Sequence, residues 1–190
     1  MKVLALFVTL FFISLNISFL LNQKIFILNY GENKYALKIL EYVLSKDVKI
    51  DFLTYNEISH LNDVRNLVKY VFLIRDISLI IIIFSFSYFY INKKTDYFMK
   101  ILKNGFLILF SFTLLLLAST LLFFDSLFIF FHQIFFPQGN WAFEPSSNLI
   151  ILFPKEFWIK QFLIFIGISF SEFIFFYFFY IQNKNRKKYK

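Results

Sequence analysis

Gly105 to Phe124 reads GFLILFSFTLLLLASTLLFF, and no residue in it is charged. As a helix this stretch matches the span of about 20 apolar residues that crosses the hydrocarbon core of a bilayer. A helix on the surface of a soluble domain keeps a polar face, and this segment has none to offer. Its solvent is therefore lipid. The composition of the whole chain agrees. Of 190 residues, 59% are hydrophobic and 32 are Phe, against about 45–50% apolar residues in ordinary soluble domains.

Three further runs resemble it. Val3 to Leu21 (VLALFVTLFFISLNISFLL) follows Lys2, as a signal peptide would, but Leu21-Asn22-Gln23 does not resemble a small-residue cleavage site. It reads as an uncleaved span. Tyr70 to Ile91 is the second span and carries Arg75 and Asp76; Phe157 to Tyr180 is the fourth and carries Gly167 and Glu172. The expected fold class is an all-α membrane protein forming one domain over residues 1–190. Its four transmembrane helices lie at about 3–21, 70–91, 105–124 and 157–180.

Charge placement sets the expected orientation. The Asn92–Asn104 loop and the tail from Gln182 hold nine basic residues against one acid. Gln23–Leu67 holds six of each sign, and Asp125–Glu156 holds three acids and one Lys. Basic residues collect beside the cytoplasmic ends of membrane helices. Both termini are therefore expected inside, with segments 22–69 and 125–156 outside. The net charge of +8 then reads as a topology anchor near anionic lipid, and no nucleic-acid partner is expected. The tail 182–190 carries much of that charge.

The first outside segment contains Lys34–Ser45, where Leu37, Leu40 and Val43 recur at helical spacing. This predicts a short amphipathic helix. A second helix is predicted to begin near Thr54–Asn56 and to run into the second span. The second outside segment holds all three prolines, so Pro137–Pro154 cannot be one regular helix. Ser126–Phe136 either extends the third helix or re-enters the membrane.

The absence of Cys excludes disulfides, thiolate zinc sites and a Cys nucleophile. No Gly-x-Ser-x-Gly elbow, phosphate loop or metal-ligand cluster is present, so neither cofactor nor metal is expected. What remains are two histidines, one in each outside segment: His60 in NEISHLNDVRNL and His132 in FFHQIFFPQGNWAF. On a helix Glu57, His60 and Asp63 are neighbours three apart, and a carboxylate beside an imidazole fixes its tautomer and raises its basicity. The plainer reading of that trio is a solvated helix face. His132 lies near a membrane boundary, where an ionisable group needs a partner or a lipid headgroup. Asn140 and Trp141 follow it and can supply N–H donors.

Together the two segments resemble the lipoprotein intramolecular transacylase family, small bacterial membrane proteins once grouped as an uncharacterised family. The first matching pattern is Glu57, His60, Asp63, Val64 and Arg65. The second runs from Phe131-His132 through Asn140-Trp141-x-Phe143 to Leu149-Ile150, Phe153-Pro154 and Phe157. The resemblance implies a diacylglyceryl lipoprotein as substrate, in a bacterial cytoplasmic membrane with the site facing the outer leaflet. It implies transfer of the sn-2 acyl chain to the α-amine of the N-terminal Cys, with His60 and His132 as the catalytic pair. Glu57 or Asp63 would orient a histidine, and Arg65 or groups around Asn140 and Trp141 would stabilise an oxyanion. Two other readings compete: a non-enzymatic membrane scaffold, or a small transporter built on Arg75, Asp76 and Glu172.

Overall fold

A computed structural model describes residues 1–188, with side chains described except at 27–29 and 186–188. Residues 189 and 190 of the basic tail lie outside the described residues. Among the described residues every regular element is a helix: α1 Lys2–Leu20, α2 Gln23–Tyr30, α3 Lys34–Val43, α4 Tyr55–Ile91, α5 Thr95–Leu122, α6 Phe124–Phe135, α7 Asn148–Leu152 and α8 Lys155–Lys188. Three of them are long and apolar enough to cross a membrane: α1, α5 and Lys155–Asn185 of α8.

The expected second span is the later part of α4, a single 37-residue helix. At 1.5 Å per residue it is about 55 Å long, longer than a bilayer requires. Its start at Tyr55 and unbroken course agree with the sequence expectation. Ser126–Phe136 does not continue the third helix. The chain leaves helical geometry at Phe123 (φ −143°, ψ 38°) and α6 begins as a separate helix. No Pro or Gly marks this break. The short helices α2 and α7 were not anticipated.

The chain divides into two compact units. One comprises α1 to Asn16, residues 72–117 of α4 and α5, and α8 from Phe165 onward. Its interior is aliphatic and aromatic. Ala5, Val8 and Ile101 form one cluster, and Phe106, Leu109 and Phe176 another. The rings of Phe106 and Phe176 stack with centroids 4.3 Å apart. Between membrane helices, lipid removes the hydrophobic drive to associate, so close approach and polar contacts matter more. Both occur here. The Thr9 hydroxyl donates to the Gly105 carbonyl at 2.9 Å. Asn16 donates to Ser169 at 3.1 Å and to the Glu172 carboxylate at 3.0 Å. Arg75 pairs with Asp76 at 2.8 Å.

Gly105 is what lets α1 approach α5. A Cβ there would sit 2.6 Å from the Val8 Cβ and 2.9 Å from the Ala5 carbonyl oxygen. Gly105→Leu is therefore expected to force the helices apart and break the Thr9 bond. Overpacking of this kind costs about 1–3 kcal/mol or more. A lowered melting temperature in detergent, with Leu107→Ala on the exposed face as control, checks it.

The second unit comprises residues 17–71 and 118–164. Its core is Phe26, Ala36 and Leu40, covered by Tyr30, Phe153 and Phe157 among others. Helix α3 forms because Asn33 caps it, its side-chain oxygen accepting from the Tyr35 and Ala36 amides. It buries Ala36, Ile39, Leu40 and Val43. The Tyr30 hydroxyl donates to the Leu152 carbonyl, joining α2 to the end of α7. Both histidines lie in this unit.

Candidate active site

Thr54 and Glu57 fix the start of α4 as a reciprocal capping box, T-x-x-E. Glu57 accepts from the Thr54 amide at 2.8 Å and from its hydroxyl at 2.9 Å, and its own amide donates to the Thr54 hydroxyl at 3.3 Å. The other carboxylate oxygen accepts from the Leu149 amide at 2.9 Å, at the start of α7. Asn148 adds a side-chain bond to the Phe52 carbonyl at 2.8 Å. Burial acts to raise the Glu57 pKa, but hydrogen bonds from Thr54, Leu149 and Asn148 outweigh it and hold the group below its usual value. Glu57 is thus a strut between two loops.

One turn beyond this strut, His60 faces His132. The ring centroids are 5.9 Å apart with planes inclined at 29°. Each residue is only 8% exposed. Aromatic side chains surround the pair. Phe136 meets His60 edge-on at 4.9 Å, Phe143 lies 5.7 Å from it, and Phe128 and Trp141 lie 4.1 and 4.9 Å from His132. The His132 Nδ1 lies 2.7 Å from the Phe128 carbonyl, one turn back on α6. A carbonyl only accepts, so Nδ1 carries the hydrogen and Nε2 keeps its lone pair.

This box removes water from both rings. Burial, reinforced by the charge His132 would carry, pushes His60 down to about 4, against smaller opposing pulls from Asp63 and Asn140. Burial also lowers His132, against the pull of the Phe128 carbonyl. At neutral pH the site therefore holds two uncharged imidazoles.

Asp63 faces the 137–141 loop. It accepts from Gln138 and from Asn140, each at 2.7 Å, and Asn140 also reaches the Ser59 hydroxyl at 3.4 Å. Arg65 turns toward the end of α3. It donates to the Ser45 hydroxyl and to the Lys46 carbonyl, both at 3.3 Å, and lies 4.6 Å from the Tyr42 ring centre. Its contacts fasten α3 to α4. The structure thus brings His60, His132, Asp63, Asn140 and Trp141 into one neighbourhood, while Glu57 and Arg65 brace its surroundings. Phe136 and Gln138 were not singled out in the sequence, whereas Phe143 stands in the second motif. Phe128 also carried a signal, four residues before His132 on a helical repeat.

Among solved structures, the chain is similar to the membrane-integral lipoprotein intramolecular transacylase of Bacillus cereus, determined in meso. Identity is 18% over 99% of this chain and 95% of that one, with a TM-score of 0.79. A variant of that protein with a histidine-to-arginine substitution matches at 18% identity, covering 98% and 91% of the two chains, with a TM-score of 0.70. At that identity the likeness establishes a shared fold. No curated protein matches the chain. Residues 33–158, which include both histidines and the loops that hold them, match the family described as lipoprotein intramolecular transacylase Lit. By that match the chain belongs to the lipoprotein intramolecular transacylase family.

Proposed function

We propose that His60 and His132 together carry the proton transfers of an intramolecular O-to-N acyl shift. In it the sn-2 acyl chain of a diacylglyceryl lipoprotein moves to the α-amine of its N-terminal Cys. The observation that supports this reading is the pair itself, two buried neutral imidazoles 5.9 Å apart in an aromatic enclosure. Conversion of an ester to an amide is downhill, so no nucleotide is consumed. The attacking nitrogen belongs to the substrate, so no Ser or Cys nucleophile is required.

The steps balance as follows. The free amine attacks the sn-2 carbonyl carbon, and a C–N bond forms. A neutral imidazole accepts the proton that the nitrogen sheds. The C–O bond to glycerol breaks, and an imidazolium delivers a proton to the departing oxygen. The products are the amide and a glycerol hydroxyl. His132 is equipped to accept, because its Nε2 lone pair is free while Nδ1 is held. Attack within one bound molecule also gains from high effective molarity. Exclusion of water by the rings of Phe128, Phe136, Trp141 and Phe143 disfavours simple hydrolysis of the ester.

The proposed setting is a bacterial cytoplasmic membrane with four spans, in which Tyr70–Ile91 of α4 joins the three long apolar helices as the second span in chain order. Supporting this, Ile77, Ile80, Ile83 and Phe84 are exposed, as lipid-facing side chains are, and the two charges of the segment pair with each other. Both termini lie inside, and the segments bearing the histidines face the outer leaflet, where lipoprotein N-termini are anchored by their acyl chains. A transporter reading gains little, because Asn16, which donates to both Ser169 and Glu172, accounts for Glu172 as a polar contact between α1 and α8.

The test uses purified protein in nanodiscs with a synthetic diacylglyceryl-Cys peptide. The product is an isomer, so its intact mass stays constant while fragment masses place one acyl chain on the amine. Loss of an acyl chain, or unchanged fragments, would count against the proposal.

A further inference from the structure

The geometry points to Asn140 as a positioning residue that holds His60 in one tautomer, with Asp63 locking the amide that does so. Asp63 Oδ2 accepts from the Asn140 Nδ2 at 2.7 Å. A carboxylate cannot donate, so this bond fixes which end of the Asn140 amide faces Asp63. The amide oxygen must then point the other way. That Oδ1 is buried without a hydrogen-bond partner, and so is the Nδ1 of His60. The Asn140 side chain nevertheless lies close enough to His60 to favour its protonated form.

A buried acceptor and a buried ring nitrogen that both lack partners are costly apart and satisfied together. Placing the hydrogen on the His60 Nδ1 resolves both at once, as Nδ1–H donating to Asn140 Oδ1. Its Nε2 is then left with a free lone pair, the same tautomer that the Phe128 carbonyl imposes on His132. The two rings become equivalent acceptors, and either can be loaded with a proton to serve as acid. When His60 becomes an imidazolium, Asn140 relays the Asp63 charge to it without contact between carboxylate and ring. Gln138, which also donates to Asp63 at 2.7 Å, keeps that carboxylate in place.

This assignment deepens the acyl-transfer reading and rests on it only for the rate measurement. The chain has two histidines, so nitrogen-15 histidine labelling gives two ring systems, and His132→Gln isolates the His60 signals. The wild-type chain is expected to show His60 as the Nδ1–H tautomer. In Asn140→Leu the ring shifts to Nε2–H or to a mixture, and kcat falls about 10–100-fold, the loss seen when a histidine's outer partner is removed at a metal site. KM changes less than kcat. Asp63→Asn keeps the volume, so it carries the test should Asn140→Leu not fold, and it is expected to weaken the tautomer preference in the same direction. A His60 tautomer identical in wild type and both variants overturns the inference, as does a loss of rate with no change in tautomer. If the wild-type chain shifts no acyl group but shows an Asn140-dependent tautomer, the functional reading falls and this one stands.

Discussion

His60→Ala and His132→Ala are each expected to lower the acyl-shift rate by about 10²–10⁴-fold, the range that a positioned acid or base supplies. The two rings face one another in a single enclosure, and both proton movements serve one collapsing intermediate. They act as a unit, so the double substitution should cost little more than the worse single one. Alanine also leaves a void among Phe128, Phe136, Trp141 and Phe143, so His60→Gln and His132→Gln should be measured beside it. Conversion of the diacylglyceryl peptide in nanodiscs is the readout, with helical content by circular dichroism as the control for folding. A rate within about threefold of wild type in both single variants would remove the histidines from the chemistry.

The second large effect is on pH. Below about pH 8 the rate is expected to fall roughly tenfold per unit, because an α-amine of pKa about 7.7–8.0 must be neutral to attack. That limb belongs to the substrate. The imidazoles stay neutral through it, since burial holds His60 down to about 4 and lowers His132 as well. Folding stability follows the same depression. An unfolded histidine takes up a proton near pH 6.5, whereas the folded His60 does so only near 4. The unfolded chain therefore binds more protons in that window, and stability declines as pH falls from about 6.5 to about 4. Histidine NMR titration checks it. A His60 midpoint near 6.5 would show that the aromatic enclosure admits water.

Much of this was legible in the sequence because it is written in local patterns. Apolar runs without a polar face gave the long helices, and the spacing of Leu37, Leu40 and Val43 gave α3. The course of α4 from Tyr55 into an apolar stretch followed from the absence of any breaker between Thr54 and Ile91. Two histidines in separate segments expected outside pointed to the candidate site. What the sequence hid was set by contacts between distant segments. Glu57 looks like a histidine's neighbour on a helix wheel, yet its carboxylate is drawn to the amides of Thr54 and Leu149. Arg65 sits beside Asp63 in a motif, yet Tyr42, Ser45 and Lys46 claim its guanidinium. The break at Phe123 has no Gly or Pro to announce it, and α2 and α7 are too short to show a periodicity. The Asp63–Asn140 bond joins residues on opposite sides of two predicted spans, and no periodicity reports such a bond.

A crossover experiment bears most directly on the claim that one bound molecule supplies both the amine and the acyl chain. Two diacylglyceryl-Cys peptides of different sequence, one with a deuterated sn-2 chain and one without, are mixed with the protein in nanodiscs. Each peptide is expected to keep its own label, with the sn-2 chain now on its own amine and the sn-1 chain left in place. Labels exchanged between peptides, or an sn-1 chain found on the amine, would contradict it.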